Sequence, residues 1–124
     1  MNRNKNINIA ETEWHIMELL WKTPMLTIGE IIEGVKKMEW SDSTVKTLVR
    51  RLNQKGALGI DSSAGHFRYF TLVSEEECKL KETKNLIDKI YHGSAKLLIA
   101  SLVSGSNLSE SEAEKLMDII DKME

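Results

Sequence analysis

Apolar residues recur along this chain first with a period of 3.6, then briefly with a period of 2, then with 3.6 again. Trp14, Met17, Leu20 and Trp21 fall at i, i+3, i+6 and i+7. They predict a helix over 9–22, ended by Pro24, the single proline. Thr27 and Glu30 have the spacing of a capping box, in which each residue satisfies a free backbone N–H of the other. They open a second helix with an apolar stripe of Ile28, Ile31, Ile32, Val35 and Met38, and Gly34 is a weak point inside it. A third helix follows Trp40. Ser41 is its N-cap, and Asp42 lies in the first turn, where the helix dipole favours negative charge. Val45, Leu48, Val49 and Leu52 form its buried stripe, and Gly56 falls where a left-handed residue ends a helix.

The period then switches. Residues 57–60 predict a short strand, 61–65 are turn-forming, and 66–72 predict the returning strand. Three helices joined by short links and followed by a β-hairpin make a winged helix-turn-helix. Beyond Val73, Ser74 and Glu77 have capping-box spacing and open a helix over 75–91, broken by Gly93. Leu97, Leu98, Ile99, Leu102 and Val103 lie on a helix over 94–104. After a loop at 104–107, Ser109 and Glu112 cap a last helix whose stripe is Ala113, Leu116, Met117 and Ile120. Three helices in about fifty residues enclose too little to bury these side chains alone, so pairing with a second copy is expected. The expected fold class is mainly α with a small β-hairpin wing. Its expected domains are a winged helix-turn-helix DNA-binding domain over 1–73 and a C-terminal three-helix dimerisation domain over 74–124. Leu97, Leu98, Leu102, Leu116 and Ile120 are the dimerisation candidates.

Composition changes this picture only through its unevenness. The chain has 124 residues, 41% hydrophobic and 29% charged, which suits a globular protein. The net charge of −2 hides an asymmetry. Residues 36–73 carry seven Lys or Arg against three Asp or Glu, while 74–124 carry seven against eleven. A basic working surface is therefore expected in the first half. The first residues lack the apolar stretch of a secretory signal, and no apolar run has membrane-spanning length. With a single cysteine, Cys78, these features predict a cytoplasmic protein. A dinucleotide-binding glycine pattern, a P-loop and an HExxH motif are all missing, and no cofactor or metal is expected. His15, His66 and His92 fall on separate elements, so an enzyme is not expected.

The third helix carries the most information. Opposite its apolar stripe it presents Ser43, Thr47, Arg50 and Gln54, flanked by Thr44, Lys46 and Arg51. Hydroxyl, amide and cationic groups of this kind suit DNA, although an ordinary solvated face has the same look. The hairpin that follows tips the reading toward DNA. Ser43, Thr44, Lys46 and Thr47, near the N-terminal end, are placed to read bases, and Arg50 and Arg51 to hold phosphates. His66 and Arg68 lie toward the hairpin tip, where a basic wing meets the DNA backbone, and a solvated turn serves His66 equally well. Phe67, Tyr69 and Phe70 are expected to pack the wing onto the core.

The stretches Ala10–Met17 with Leu20-Trp21, Trp40–Leu52, Lys55-Gly56 and Leu72-Val73 resemble the penicillinase and methicillin-resistance repressors and the related copper-transport repressors. The resemblance covers nearly the whole chain. It implies a homodimeric winged-helix repressor that binds inverted-repeat operators in double-stranded DNA. It also implies base-reading positions at Thr44 and Lys46 and a phosphate contact at Arg51. Asp42-Ser43 stands where the family commonly has Pro-Lys, and Ala10 where it commonly has serine. In the β-lactam branch a membrane sensor-protease pathway leads to cleavage at an Asn-Phe bond. That position corresponds here to Ser101-Leu102, so relief by proteolysis of the dimerisation domain is the expectation carried forward. The cysteine cluster of the copper branch has no counterpart. Two rival readings stand beside the repressor. One is a winged-helix protein-interaction module that has lost DNA binding, favoured by Asp42. The other is a metal- or ligand-responsive regulator.

Overall fold

The computed structural model describes residues 7–105 and 108–123, without the side chains of Ile120 and Met123. The expected loop residues Ser106 and Asn107 lie outside the described residues, as does the side chain of the dimerisation candidate Ile120. The chain divides into two compact units, the first ending at Cys78 and the second beginning at Lys79.

The first unit begins with α1 (Glu11–Lys22), whose buried face is Glu13, Ile16, Met17 and Leu20. The expected stripe included Met17 and Leu20 but not Ile16, and Trp14 and Trp21 are only half-buried. The helix starts at Glu11 rather than at residue 9. Ala10 has no oxygen to cap it, so the N-terminus is served from one side only, by Glu13 Oε1 accepting the Ala10 N–H at 2.9 Å. In α2 (Ile28–Gly34) the Thr27–Glu30 box is complete. This helix is shorter than the apolar stripe predicted. It stops at Gly34, and Lys36–Met38 form a single 3-10 turn. Val35 and Met38 still reach the core because a three-residue turn keeps i and i+3 on one side.

The α3 helix runs Asp42–Lys55 between the Ser41 N-cap and Gly56. All four residues of its expected stripe are buried, with Leu52 fully so. Gly56 has φ 89°, a conformation that a Cβ would strain. Next come β1 (Leu58–Asp61) and β2 (Arg68–Thr71), paired antiparallel with Gly59 opposite Phe70 and Ile60 opposite Tyr69. Each strand is displaced or shortened slightly relative to the sequence pattern.

Hydrogen bonds from three other segments hold the hairpin in place. Leu26 forms a one-residue bridge to Tyr69, with N–H to O distances of 3.1 and 2.7 Å in the two directions. The Asn53 Nδ2–H donates to the Leu58 carbonyl at 2.9 Å, tying α3 to β1. At the exit of the hairpin, the Trp21 indole N–H donates to the Val73 carbonyl at 3.0 Å. Around these bonds a single apolar core gathers Ile16, Met17, Leu20, Ile31, Val45, Val49, Leu52 and Leu58. Burial of each contributes about 1.5–3 kcal/mol relative to exposure for the larger aliphatic side chains. Cys78 also packs against this core, so the first turn of the next helix stays with the first unit.

That helix, α4 (Glu75–Tyr91), opens with the Ser74–Glu77 box: Glu77 N–H donates to Ser74 Oγ at 3.1 Å. In the second unit, α5 (Ala95–Ser104) is capped by Ser94, and α6 (Glu110–Met123) by Ser109. These two helices pack on each other and bury Ile99.

Candidate nucleic-acid interface

The polar stripe of α3 is solvent-facing. Ser43, Thr44, Lys46, Arg50, Arg51 and Gln54 are exposed, and Thr47 is half-buried. The sequence-predicted residues of this helix therefore form one continuous face. Lys46, Arg50 and Arg51 take part in no ion pair among the described residues, unlike Lys36 and Lys55.

The start of the helix is locally ordered. Ser41 Oγ accepts the Thr44 N–H at 3.2 Å and lies 2.9 Å from Thr44 Oγ1 and 3.2 Å from Ser43 Oγ. One capping residue thus holds the backbone turn and two of the three hydroxyls expected to meet bases, those of Ser43 and Thr44. These hydroxyls retain acceptor lone pairs, so they remain able to contact a base edge.

The hairpin tip is built by Asp61, whose carboxylate accepts the Ser63 N–H at 2.8 Å, and by Gly65 at φ 88°. The Ser63 hydroxyl and backbone hold the Asp61 carboxyl below its ordinary range, with Arg68 adding a smaller pull. The Thr27 backbone and hydroxyl do the same for Glu30, with weaker help from Arg68 and His66. Arg68 therefore lies within electrostatic reach of two carboxylates, and its Nε–H donates to His66 Nε2 at 3.3 Å. The structure brings His66 and Arg68 together, with His66 exposed and Arg68 half-buried.

Phe67 departs from expectation. It is 58% exposed and does not pack the wing onto the core, and Phe70, whose ring lies over Gly59, is not among the side chains packed there either, whereas Tyr69 is. Phe67 precedes β2 and so lies outside the alternating face that places Tyr69 inward.

Another feature was illegible as a site from sequence. Glu13 is buried, and its Oε1 accepts from Lys55 Nζ at 2.5 Å. Lys55 also donates to the Asn8 carbonyl at 2.8 Å. The last cation of α3 is thus spent on joining the end of that helix to the start of α1. The sequence signal for it is a carboxylate four residues before Met17 and seven before Leu20, on the apolar side of α1.

In the second unit, Leu97 is 53% and Leu116 is 36% exposed, while Leu98 and Leu102 are half-buried. Leu80, Leu86 and Ile90 of α4 and Ile119 of α6 are also exposed, and the sequence reading did not single them out. Ser101 is exposed within α5, where its carbonyl accepts the Gly105 N–H at 3.0 Å. Among the described residues no cluster of His, Cys, Asp or Glu could hold a metal ion, and no helix is long and apolar enough to cross a membrane.

A family model described as penicillinase repressor matches residues 9–122. The methicillin resistance regulatory protein MecI of Staphylococcus aureus (strain N315) is 34% identical over 120 residues, covering 96% of this chain and 98% of that protein. The penicillinase repressor of Staphylococcus aureus is 30% identical over 118 residues, covering 94% of each. The solution structure of the DNA binding domain of the repressor BlaI superposes with a TM-score of 0.52 at 29% identity, covering 57% of this chain and 88% of that one. Bacillus licheniformis BlaI in its monomeric form, in complex with the blaP half-operator, gives 0.51 at 30% identity, covering 56% and 87%.

Proposed function

This chain belongs to the penicillinase repressor family, a family of transcriptional repressors and not of enzymes, and from that membership we propose that it is a cytoplasmic, homodimeric repressor of transcription. It binds inverted-repeat operator DNA through α3 and the wing. The observation that carries this reading is the exposed face of α3 with Lys46, Arg50 and Arg51, held beside the hairpin by the Leu26–Tyr69 and Asn53–Leu58 bonds. The similarity to BlaI, whose structure is known with a half-operator, supports it.

In this reading Ser43, Thr44, Lys46 and Thr47 contact base edges, Arg50 and Arg51 hold phosphates, and His66 and Arg68 approach the adjacent backbone. Residues 1–73 are the DNA-binding domain and 74–124 the dimerisation domain. Leu97, Leu98, Leu102, Leu116 and Ile120 meet a second copy. The two-fold axis places two α3 helices in successive major grooves, doubling the phosphate contacts. That doubling lets a chain of net charge −2 bind DNA. An inducing signal then relieves repression by breaking the dimer, for example through a membrane sensor-protease pathway that leads to cleavage at Ser101-Leu102. That bond lies inside α5, so the helix must open locally before a protease can take it as an extended chain.

Fluorescence anisotropy with a duplex from the region upstream of the protein's own gene, against a scrambled competitor, tests the proposal. Competitor-resistant binding by two protomers per duplex is expected. Binding that is weak and indifferent to sequence at every salt concentration would overturn operator recognition.

A further inference from the structure

Between α3 and the hairpin lies a cleft of about 300 Å³, lined by Ile28, Lys46, Arg50, Asn53, Ile60 and Tyr69. Its chemistry follows from two registers. Lys46, Arg50 and Asn53 lie at i, i+4 and i+7, one stripe of α3. Ile60 stands opposite Tyr69 across the hairpin, so the two side chains share a face. Asn53 is fixed by its bond to the Leu58 carbonyl, and the Tyr69 backbone by its bridge to Leu26. Two points of the lining, the Asn53 side chain and the Tyr69 backbone, are thereby held in place. Ile60 is 41% exposed, an isoleucine left open to water beside two cations outside the ion pairs of the described residues.

An apolar floor under a cationic rim is poor protein core and poor protein surface. It complements a group with an apolar ring joined to an anion. We infer that this cleft seats one sugar–phosphate unit of the DNA backbone. The deoxyribose lies against Ile60 and the Tyr69 ring, and the phosphate oxygens meet Arg50. Lys46, one turn nearer the N-terminus of α3, adds its charge to the cleft while its amino group stays free for a base edge. The inference rests on the DNA-binding reading and extends it to Ile60 and Tyr69, which carry no charge and are invisible to a search for basic residues. Charge complementarity selects the occupant: a purely apolar peptide would leave both cations desolvated, and a free small anion would leave Ile60 uncovered.

The test uses the full chain and a fluorescein-labelled duplex of arbitrary sequence, because a backbone seat does not depend on bases. Ile60→Glu places a carboxylate facing the phosphate, and Ile60→Gln is its neutral control. Ile60→Glu is expected to weaken binding by about tenfold or more, and Ile60→Gln, which loses the apolar contact without adding a charge, by a smaller, few-fold amount. Tyr69→Phe keeps the ring and its packing, so it is expected to bind within about twofold of the parent. Tyr69→Ala removes the ring and, where thermal melting shows it folded, is expected to bind several-fold more weakly. Thermal melts of all variants separate lost binding from lost folding. If the parent binds and a folded Ile60→Glu variant binds equally well, the cleft is not a backbone seat, and DNA binding by α3 stands. If the parent binds no duplex at low salt, the DNA-binding reading itself fails, and this inference fails with it.

Discussion

Removing Lys55 is predicted to cost more stability than removing the charge of its partner, because the two ends of this ion pair differ in burial. The Glu13 side chain is 2% exposed and that of Lys55 is 34% exposed. Lys55→Met leaves the Glu13 carboxylate buried with the Ala10 N–H as its remaining donor and removes the bond to the Asn8 carbonyl. Stripping one partner from a fully buried pair costs about 3–5 kcal/mol. The surviving Ala10 bond and the partial exposure of Lys55 lower this, so about 2–3 kcal/mol is expected here. Glu13→Gln keeps the volume and an acceptor for Ala10, and Lys55 can turn to water, so about 1 kcal/mol is expected. The double variant should cost less than the sum of the two, since the orphaned charge is gone. All three tryptophans, Trp14, Trp21 and Trp40, lie in the first unit, so urea unfolding followed by tryptophan fluorescence reports this unit alone. The reasoning is refuted if Glu13→Gln costs more than Lys55→Met. It is equally refuted if the cost disappears at about 0.5 M salt, which screens surface pairs but not buried ones.

Four further outcomes follow from the same structure. Lys46→Ala should bind operator and scrambled duplex with nearly equal affinity, which competition anisotropy measures. Arg51→Ala should weaken binding to all sequences and flatten the salt dependence by about one unit, the signature of a lost phosphate contact. Gly56→Ala forces a Cβ into φ 89° and should destabilise the first unit by about 1–2 kcal/mol in the same urea assay. Glu30, Asp61 and Glu112 have carboxyls held below their ordinary range by bonds from Thr27, Ser63 and Ser109 respectively. A lowered folded-state value means that the stabilisation is complete above the ordinary carboxylate range and lost as pH falls through the lowered one. Thermal stability should therefore fall on acidification below that range, and Glu30→Gln should make the fall shallower.

The helices and hairpin were legible because their signals are local. Ser41 and Gly56 bracket α3 in the structure as the capping pattern predicted, and the Val45–Leu52 stripe is buried throughout. What escaped the sequence depends on contacts across the chain. The Leu26–Tyr69 bridge is one residue long and leaves no alternation to detect. The burial of Glu13 depends on Lys55, 42 positions away. The second helix was over-extended because its stripe continues past Gly34, although the backbone changes there from α to 3-10 geometry. Of the candidate site, the charged and hydroxyl-bearing residues of α3 could be read from a helical wheel. Ile60 could not, because its place beside Arg50 is set by hairpin register and the Asn53–Leu58 bond.

Sequence-specific binding by a dimer is tested most directly by selecting binding sites from a pool of random duplexes with the full chain, which measures both properties at once. The prediction is an enriched inverted repeat with half-site centres a whole number of helical turns apart, at about 10–10.5 base pairs per turn. A pool that stays unenriched, or one enriched in single half-sites of no fixed spacing, would contradict it.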